Sequence, residues 1–385
     1  MNKVNGEVFK FKREDEDIIN KTDEEINERY KKGEIRIITE QARYPIKSIH
    51  EMIDSGDYKR NPEYQRRKRW DDGKKSRLIE SFIMNVPLPP IFLYEYEYSK
   101  YEVMDGQQRL TAIYDFYNGD FALVELEYWR ELEGKKYKEL PSEIKKGIDR
   151  RYISSIVLLE ETAKTKAEAD KLKQIVFERL NSGGEKLTPQ EARNSLYIGE
   201  MNQLCLKLSE NKKFRKMWQI PLEDKELIKN DLYKKMTDVE YVLRFFAYRH
   251  LGELRTSKEK FFDAYLKTAN DFPNETLKQL EEIFNITIDI VWEIFQQEAF
   301  IPYKLTIPAI YMYDSLMQSI SQYIDRKDEV IKNKYYIKEK IKSRELSKFE
   351  YAEDKLLFDG RYDSNVIVLR RIKYFNQLIE EIINE

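Results

Sequence analysis

The period of the apolar residues changes once along this chain, and that change limits the architectures open to it. Ile91 to Tyr98 interleaves aromatic residues with glutamates behind Pro89-Pro90. Tyr101 to Met104, Phe121 to Leu126 and Tyr152 to Leu159 carry the same strand-like signal. Among these runs, Leu78, Ile79, Phe82 and Ile83 recur at helical spacing and stop before Pro87. From Lys164 the spacing is helical. It runs from Ala167 to Leu180, restarts at Thr188-Pro189, and after Thr237 continues through Tyr241, Val242, Phe245, Phe246, Phe261, Phe262, Phe284, Val291 and Ile294. The expected fold class is therefore α+β, an N-terminal α/β domain with a mixed sheet followed by a mainly α-helical C-terminal domain. We divide the chain into a charged, loosely packed arm over 1–45, an α/β domain over 46–163, a helical extension over 164–236 and a helical domain over 237–385. The arm holds one expected helix, Asp23 to Lys32, behind a Thr22 cap. The highly charged stretch from Lys334 to Asp354 reads as a solvated helix or a connection.

Charged residues make up 36% of the 385 positions and nearly cancel, at a net charge of -2. No global field draws the protein to nucleic acid, so any such contact must be local. A single cysteine, Cys205, excludes an internal disulfide and is expected in the core, and Met1 leads into a charged stretch. With no apolar run long enough to span a bilayer, the expected setting is the cytoplasm. The two histidines, His50 and His250, lie far apart and have no cysteine partners. That excludes the usual zinc clusters and argues against Ser-His or Cys-His catalysis. Carboxylates and arginines remain, and they suffice for phosphate chemistry with Mg²⁺.

Three stretches concentrate such residues. Asp105-Gly-Gln-Gln-Arg-Leu-Thr-Ala112 follows a strand signal and enters a helical stretch ending near Tyr117. Gly106 there allows a tight strand-to-helix turn, and the amides of the new helix favour an anion. Arg109 supplies a planar fork of donors beside them. A plainer alternative has Asp105 capping the helix and Arg109 pairing with a neighbouring carboxylate. Second, Lys59 to Lys75 holds eight cations against three acids, a local excess of five, interrupted by Tyr64 and Trp70. This pattern suits phosphate contact with base stacking through Arg67, Lys68, Arg69 and Trp70, or equally a solvated loop over a pocket. Third, Phe177 to Asn194 runs from a helix through Asn181-Ser182-Gly183-Gly184 into Thr188-Pro189. It forms either a second anion-accepting corner or an ordinary pair of helix caps.

Together these stretches carry a resemblance. Tyr64-Gln65-Arg66 with Trp70, Ile79-Glu80-Ser81, Pro87-Leu88-Pro89-Pro90-Ile91, Asp105 to Leu110 and Phe177 to Asn194 occur in the order and spacing of the DGQQR-motif family. From about Ile46 to Glu200 the chain resembles the N-terminal domain of GmrSD-like restriction proteins. That family is similar to the ParB/sulfiredoxin fold: Gly106 to Ala112 fits G-x-x-R-x-x-A, and Asn181 lies six residues before Leu187-Thr188-Pro189. Leu180 stands where the ParB pattern has glutamate, which leaves Glu178 as the nearby acid.

The resemblance implies binding and Mg²⁺-dependent hydrolysis of a nucleoside triphosphate, coupled to DNA restriction in defence against phage. Arg109 would bind the β- and γ-phosphates, with Arg66, Gly106, Gln107, Thr111, Asn181, Gly184 and Lys186 completing the nucleotide site. Asp105, Asn181 and Glu178 would support Mg²⁺. Gln65 or Gln108 would align water, making Gln65, Asp105, Gln108 and Arg109 the catalytic set. Many relatives carry a following His-dependent nuclease domain. Here only His250 lies beyond Thr237, so either the helical part senses a partner or nucleic acid, or cleavage belongs to another subunit, a nuclease or other defence-system protein. The rival reading is a DNA-binding or partner-sensing module that uses nucleotide as a clamp. The sequence specifies neither the base nor the oligomeric state.

Overall fold

The computed structural model describes residues 4–11, 22–32, 37–59, 67, 70–159, 165–180, 187–254, 256–302, 305–346 and 364–384. The chain parts into two compact units, one of residues 16–187 and one joining residues 1–15 to 188–385.

The first unit is built on five strands: β1 (Thr39–Pro45), β2 (Tyr58–Lys59), β3 (Ile91–Glu97), β4 (Lys100–Asp105) and β5 (Tyr152–Leu158). Their order is β1-β5-β3-β4-β2. β1 runs antiparallel to β5, β5 parallel to β3, β3 antiparallel to β4, and β4 parallel to the two-residue β2. The sheet is mixed, as the sequence pattern implies. Among the described residues the helices that accompany it are α1 (Asp23–Lys32), α2 (Ile49–Asp54), α3 (Asp72–Met84), α4 (Gln107–Asn118), α5 (Ser142–Asp149) and α6 (Lys166–Leu180). Thr22 and Glu25 cap α1 reciprocally, with Thr22 N donating to Glu25 Oε2 at 2.9 Å.

Alternation along the strands sets two faces. On one, Ile91, Leu93, Val103, Ile153 and Val157 meet Ile49 and Ile53 of α2, Leu78, Ile79 and Phe82 of α3, Leu110, Ile113 and Phe116 of α4, and Ile148 of α5 in one apolar core. β4 also packs against α6, whose buried Lys173 pairs with Glu102 of β4 at 2.5 Å. A lysine so enclosed is tolerable because a carboxylate meets it.

One expected strand is absent. Phe121 to Leu126 shows alternation, and Phe121, Leu123 and Leu126 are buried, yet the segment is irregular. Side chains take two of its backbone donors, Val124 N donating to Ser76 Oγ at 3.0 Å and Leu126 N to Glu133 Oε1 at 3.0 Å, while Leu123 N donates to Lys135 O at 3.0 Å. Just beyond, the amides of Glu127, Tyr128 and Trp129 all donate to Glu80, a buried carboxylate on α3. Conversely, β1 and β2 carry no alternating apolar pattern, being a polar edge strand and a two-residue bridge.

The second unit is helical. Its principal helices are α7 (Pro189–Leu196), α8 (Glu200–Leu208), α9 (Thr237–Tyr248), α10 (Lys258–Ala269), α11 (Asn274–Phe295), α12 (Ile310–Ile320), α13 (Lys334–Leu346) and α14 (Asn365–Asn384). The aromatic stripe foreseen from the spacing is core: Val242, Phe245, Phe246, Phe261, Phe262 and Phe284 are all buried, as is Cys205, whose thiol pKa burial pushes up. Two buried arginines of this unit meet acids. Arg193 contacts Asp263 at 2.7 Å and Glu240 at 2.9 Å, and Arg244 bonds both oxygens of Asp314. Residues 4–11, expected within a loose arm, are packed here instead. Val4 and Phe9 are buried, Phe9 lies edge-on to Tyr265 at 5.3 Å, and Glu7 is clamped by Arg249 and His250. Two apolar anchors around one neutralised acid outweigh the surrounding charge.

Candidate functional site

The octet sits where the sequence places it, on the turn from β4 to α4. Gly106 occupies that turn at φ 94°, ψ 8°. A side chain there would be strained by the backbone and would press on Ile91, whose Cβ would lie 2.9 Å from the added carbon. α4 begins without a side-chain cap. Its first-turn amides therefore keep the partial positive charge that attracts an anion.

Arg109 lies beside this turn with its side chain 12% exposed. Its Nη1 donates to Pro89 O, while Nη2 donates to Pro90 O at 3.2 Å and to Asp105 Oδ2 at 3.0 Å. Burial lowers the guanidinium pKa and Asp105 opposes that shift, so the group remains a cation. The geometry thus realises the plainer pairing foreseen for this arginine. It also explains why the Pro-Pro element and the octet occur together. Prolines lack amide donors but keep their carbonyls, and these two carbonyls latch β3's entry to α4 through one planar fork. Asp105 is half-exposed, so the ion pair is open to solvent on its carboxylate side.

Gln108, expected to align water, has its Oε1 on the backbone amide of Trp70 at 3.1 Å. It ties α4 to the start of α3, where Asp71 caps the helix through Lys74 N at 2.7 Å. Lys75 and Asp115 make a second tie at 2.8 Å. Gln107 donates its Nε2 to Val103 O at 3.0 Å, whereas its Oε1 and the hydroxyl of Thr111 are buried without a hydrogen-bond partner among the described residues. Both residues are expected at the nucleotide site from the resemblance, but that these atoms are enclosed is shown only by the fold.

Of the residues proposed for nucleic acid, Arg67 is buried, and Trp70 is half-buried and packed against the apolar core. Gln65, Arg66, Lys68, Arg69, Asn181, Gly184 and Lys186 lie outside the described residues, as does the side chain of Glu178 on α6. Among the described residues no three His, Cys, Asp or Glu side chains form a metal-binding group. His50 is held between Asp54 at 3.1 Å and Asn118 at 2.5 Å, and His250 belongs to the Glu7 clamp. No helix among the described residues is long and apolar enough to cross a membrane.

Sequence reasoning missed Glu80 as an anchor, although its position among Leu78, Ile79 and Phe82 was the available signal: an acid on the apolar stripe must be paired. No curated protein and no solved structure matches the chain. Residues 46–198 match the family described as GmrSD restriction endonuclease, N-terminal domain. The Pro89-Pro90 latch, the Gly106 turn and α4 all lie within the stretch that is similar to the N-terminal domain of GmrSD restriction proteins.

Proposed function

We propose that this protein works in a DNA-restriction system directed against phage, and that its N-terminal domain binds and hydrolyses a nucleoside triphosphate at the Gly106 turn. The observation that carries this reading is the uncapped start of α4 next to a fixed guanidinium. The amides of Gln107 and Gln108 offer donors to a phosphate, and Arg109 holds the turn in the conformation that presents them. Arg109 is thus a positioning residue first. Of its five N–H groups, three bonds to Pro89, Pro90 and Asp105 leave donors over for a ligand oxygen.

Mg²⁺ fits this site only modestly, through the half-exposed carboxylate of Asp105, whose Oδ2 already faces Arg109. Such an ion keeps several waters and rests chiefly on the phosphates, where it would neutralise their charge. Asp105 would hold it from the protein side.

The test uses the full chain with ATP, GTP, CTP and UTP plus Mg²⁺, read by thermal shift and by phosphate release with and without DNA. A ligand at about 100 times its dissociation constant stabilises the fold by about 2.7 kcal/mol. A shift with phosphate release supports hydrolysis. A shift without release supports the clamp reading, and no shift with any triphosphate removes the nucleotide site altogether.

A further inference from the structure

Four side chains of α4 share one stripe by helical spacing: Gln107, Thr111, Tyr114 and Asn118. This is not the stripe of Leu110, Ile113 and Phe116 that builds the core. The C-terminal half of the polar stripe is closed by α2. Tyr114 donates its hydroxyl to Asp54 Oδ1 at 2.9 Å, and His50 Nε2 meets Asn118 Oδ1 at 2.5 Å. The N-terminal half is enclosed but unsatisfied. Thr111 is 9% exposed, and its hydroxyl has no hydrogen-bond partner among the described residues. One turn earlier, Gln107 Oε1 is buried in the same condition.

Buried polar atoms nearly always find a partner, so two orphans one turn apart call for a reason. Their chemistry is restrictive. Because Gln107 Nε2 donates to Val103 O, the amide is oriented and Oε1 can only accept. A group that satisfies both must donate to Gln107 Oε1, and must donate to or accept from Thr111 Oγ1. Gln107 is the first residue of α4 and Thr111 lies one turn on, so both stand within about 6 Å of rise of the uncapped amides. In a nucleotide, the group next to the phosphate chain that bears O–H donors is the ribose.

We propose that Gln107 and Thr111 bind the ribose hydroxyls of the nucleotide, making the site selective for ribonucleotides over deoxyribonucleotides. The inference rests on the nucleotide reading above and adds to it the part of the ligand that these two side chains recognise.

Calorimetric titration of the full chain with ATP, 2′-deoxy-ATP and 3′-deoxy-ATP tests it, alongside Thr111→Val, which removes the hydroxyl at nearly constant shape, and Thr111→Ser, which keeps it. The parent should prefer ATP over at least one deoxy analogue by several-fold, up to about tenfold, the worth of one hydrogen bond. Thr111→Val should erase that preference and Thr111→Ser should retain it. Equal binding of ATP and both analogues by the parent overturns the ribose assignment and leaves nucleotide binding standing. So does an unchanged preference in Thr111→Val, which would mark the orphans as a water site. Titrations with GTP, CTP and UTP separate the remaining source of donors. If Thr111→Val instead erases a preference for ATP and CTP over GTP and UTP, the donor is an exocyclic amine and the ribose assignment fails. If no nucleotide binds at all, both readings fall. Should Thr111→Val not fold, the parent's analogue series and Thr111→Ser decide alone.

Discussion

Arg109 in the sheet unit and Arg244 in the helical unit are both largely enclosed arginines paired with an aspartate, yet the two pairs are built for different ends. Arg244 bonds both oxygens of Asp314, at 2.7 and 2.6 Å, and the aspartate side chain is 1% exposed. The charge is cancelled where it lies, and nothing from outside can replace the partner. Arg109 instead leans on two backbone carbonyls and on an aspartate that is 52% exposed. Its carboxylate partner is exchangeable. A closed pair contributes to a unique packing, whereas an open pair keeps a cation in position while leaving its charge available to a ligand.

The closed side of this contrast predicts the largest effect. Asp314→Ala strands a buried guanidinium and should cost about 3 to 5 kcal/mol in urea unfolding. A loss below about 1 kcal/mol would show that Arg244 is not dependent on that carboxylate, and the contrast would collapse.

Glu7 extends the same logic to the N-terminal residues and adds a pH signature. Burial raises its pKa, but the hydrogen bonds and charges of His250 and Arg249 more than offset this and hold it below the ordinary value of 4.5. The folded state therefore binds the proton more weakly than the unfolded chain. The contribution to stability is present above about pH 4.5 and is lost as pH falls through the lowered folded value. Glu7→Gln should cost about 3 kcal/mol at neutral pH, and the difference from the parent should shrink on acidification below that range. A difference independent of pH would mean that Glu7 acts by shape, not charge.

These buried pairs also mark the limit of what the sequence discloses. Periodicity located the elements that carry an apolar stripe: α3, α4, α6 and α7 begin and end close to where Pro87, Gly106, Leu180 and Thr188 suggest. It failed where side chains replaced a ladder, as Glu80 does beyond Phe121–Leu126, and where strands carry no stripe, as in β1 and β2. The turn at Gly106 was legible because glycine between a strand and a helix has few other uses. Whether Arg109 is free or latched was not, since both readings use the same residues. The enclosure of Thr111 depends on packing around α4, which no local pattern encodes.

Within the turn, Gly106→Ala should cost about 2 kcal/mol, from left-handed backbone strain together with pressure on the buried Ile91. Differential scanning calorimetry would register this as a lowered Tm. A neutral substitution would show that the turn can relax, and the anion-presenting geometry would lose its rigid base.

Asp105 should matter least for stability and most for the contrast. Because its side chain is half-exposed and Arg109 keeps the Pro89 and Pro90 carbonyls, Asp105→Asn should change unfolding free energy by less than about 1 kcal/mol. Ligand behaviour should move instead. With the competing negative charge gone, Mg²⁺-free nucleotide should bind several-fold more tightly, and the gain should fade between low and high salt because the pair is open to solvent. Phosphate release should fall, since the protein's described foothold for Mg²⁺ has been removed. If Asp105→Asn destabilised the fold as strongly as Asp314→Ala, and left nucleotide affinity untouched, the Arg109 pair would be a closed structural pair like the other, and the open cation at the Gly106 turn would not exist.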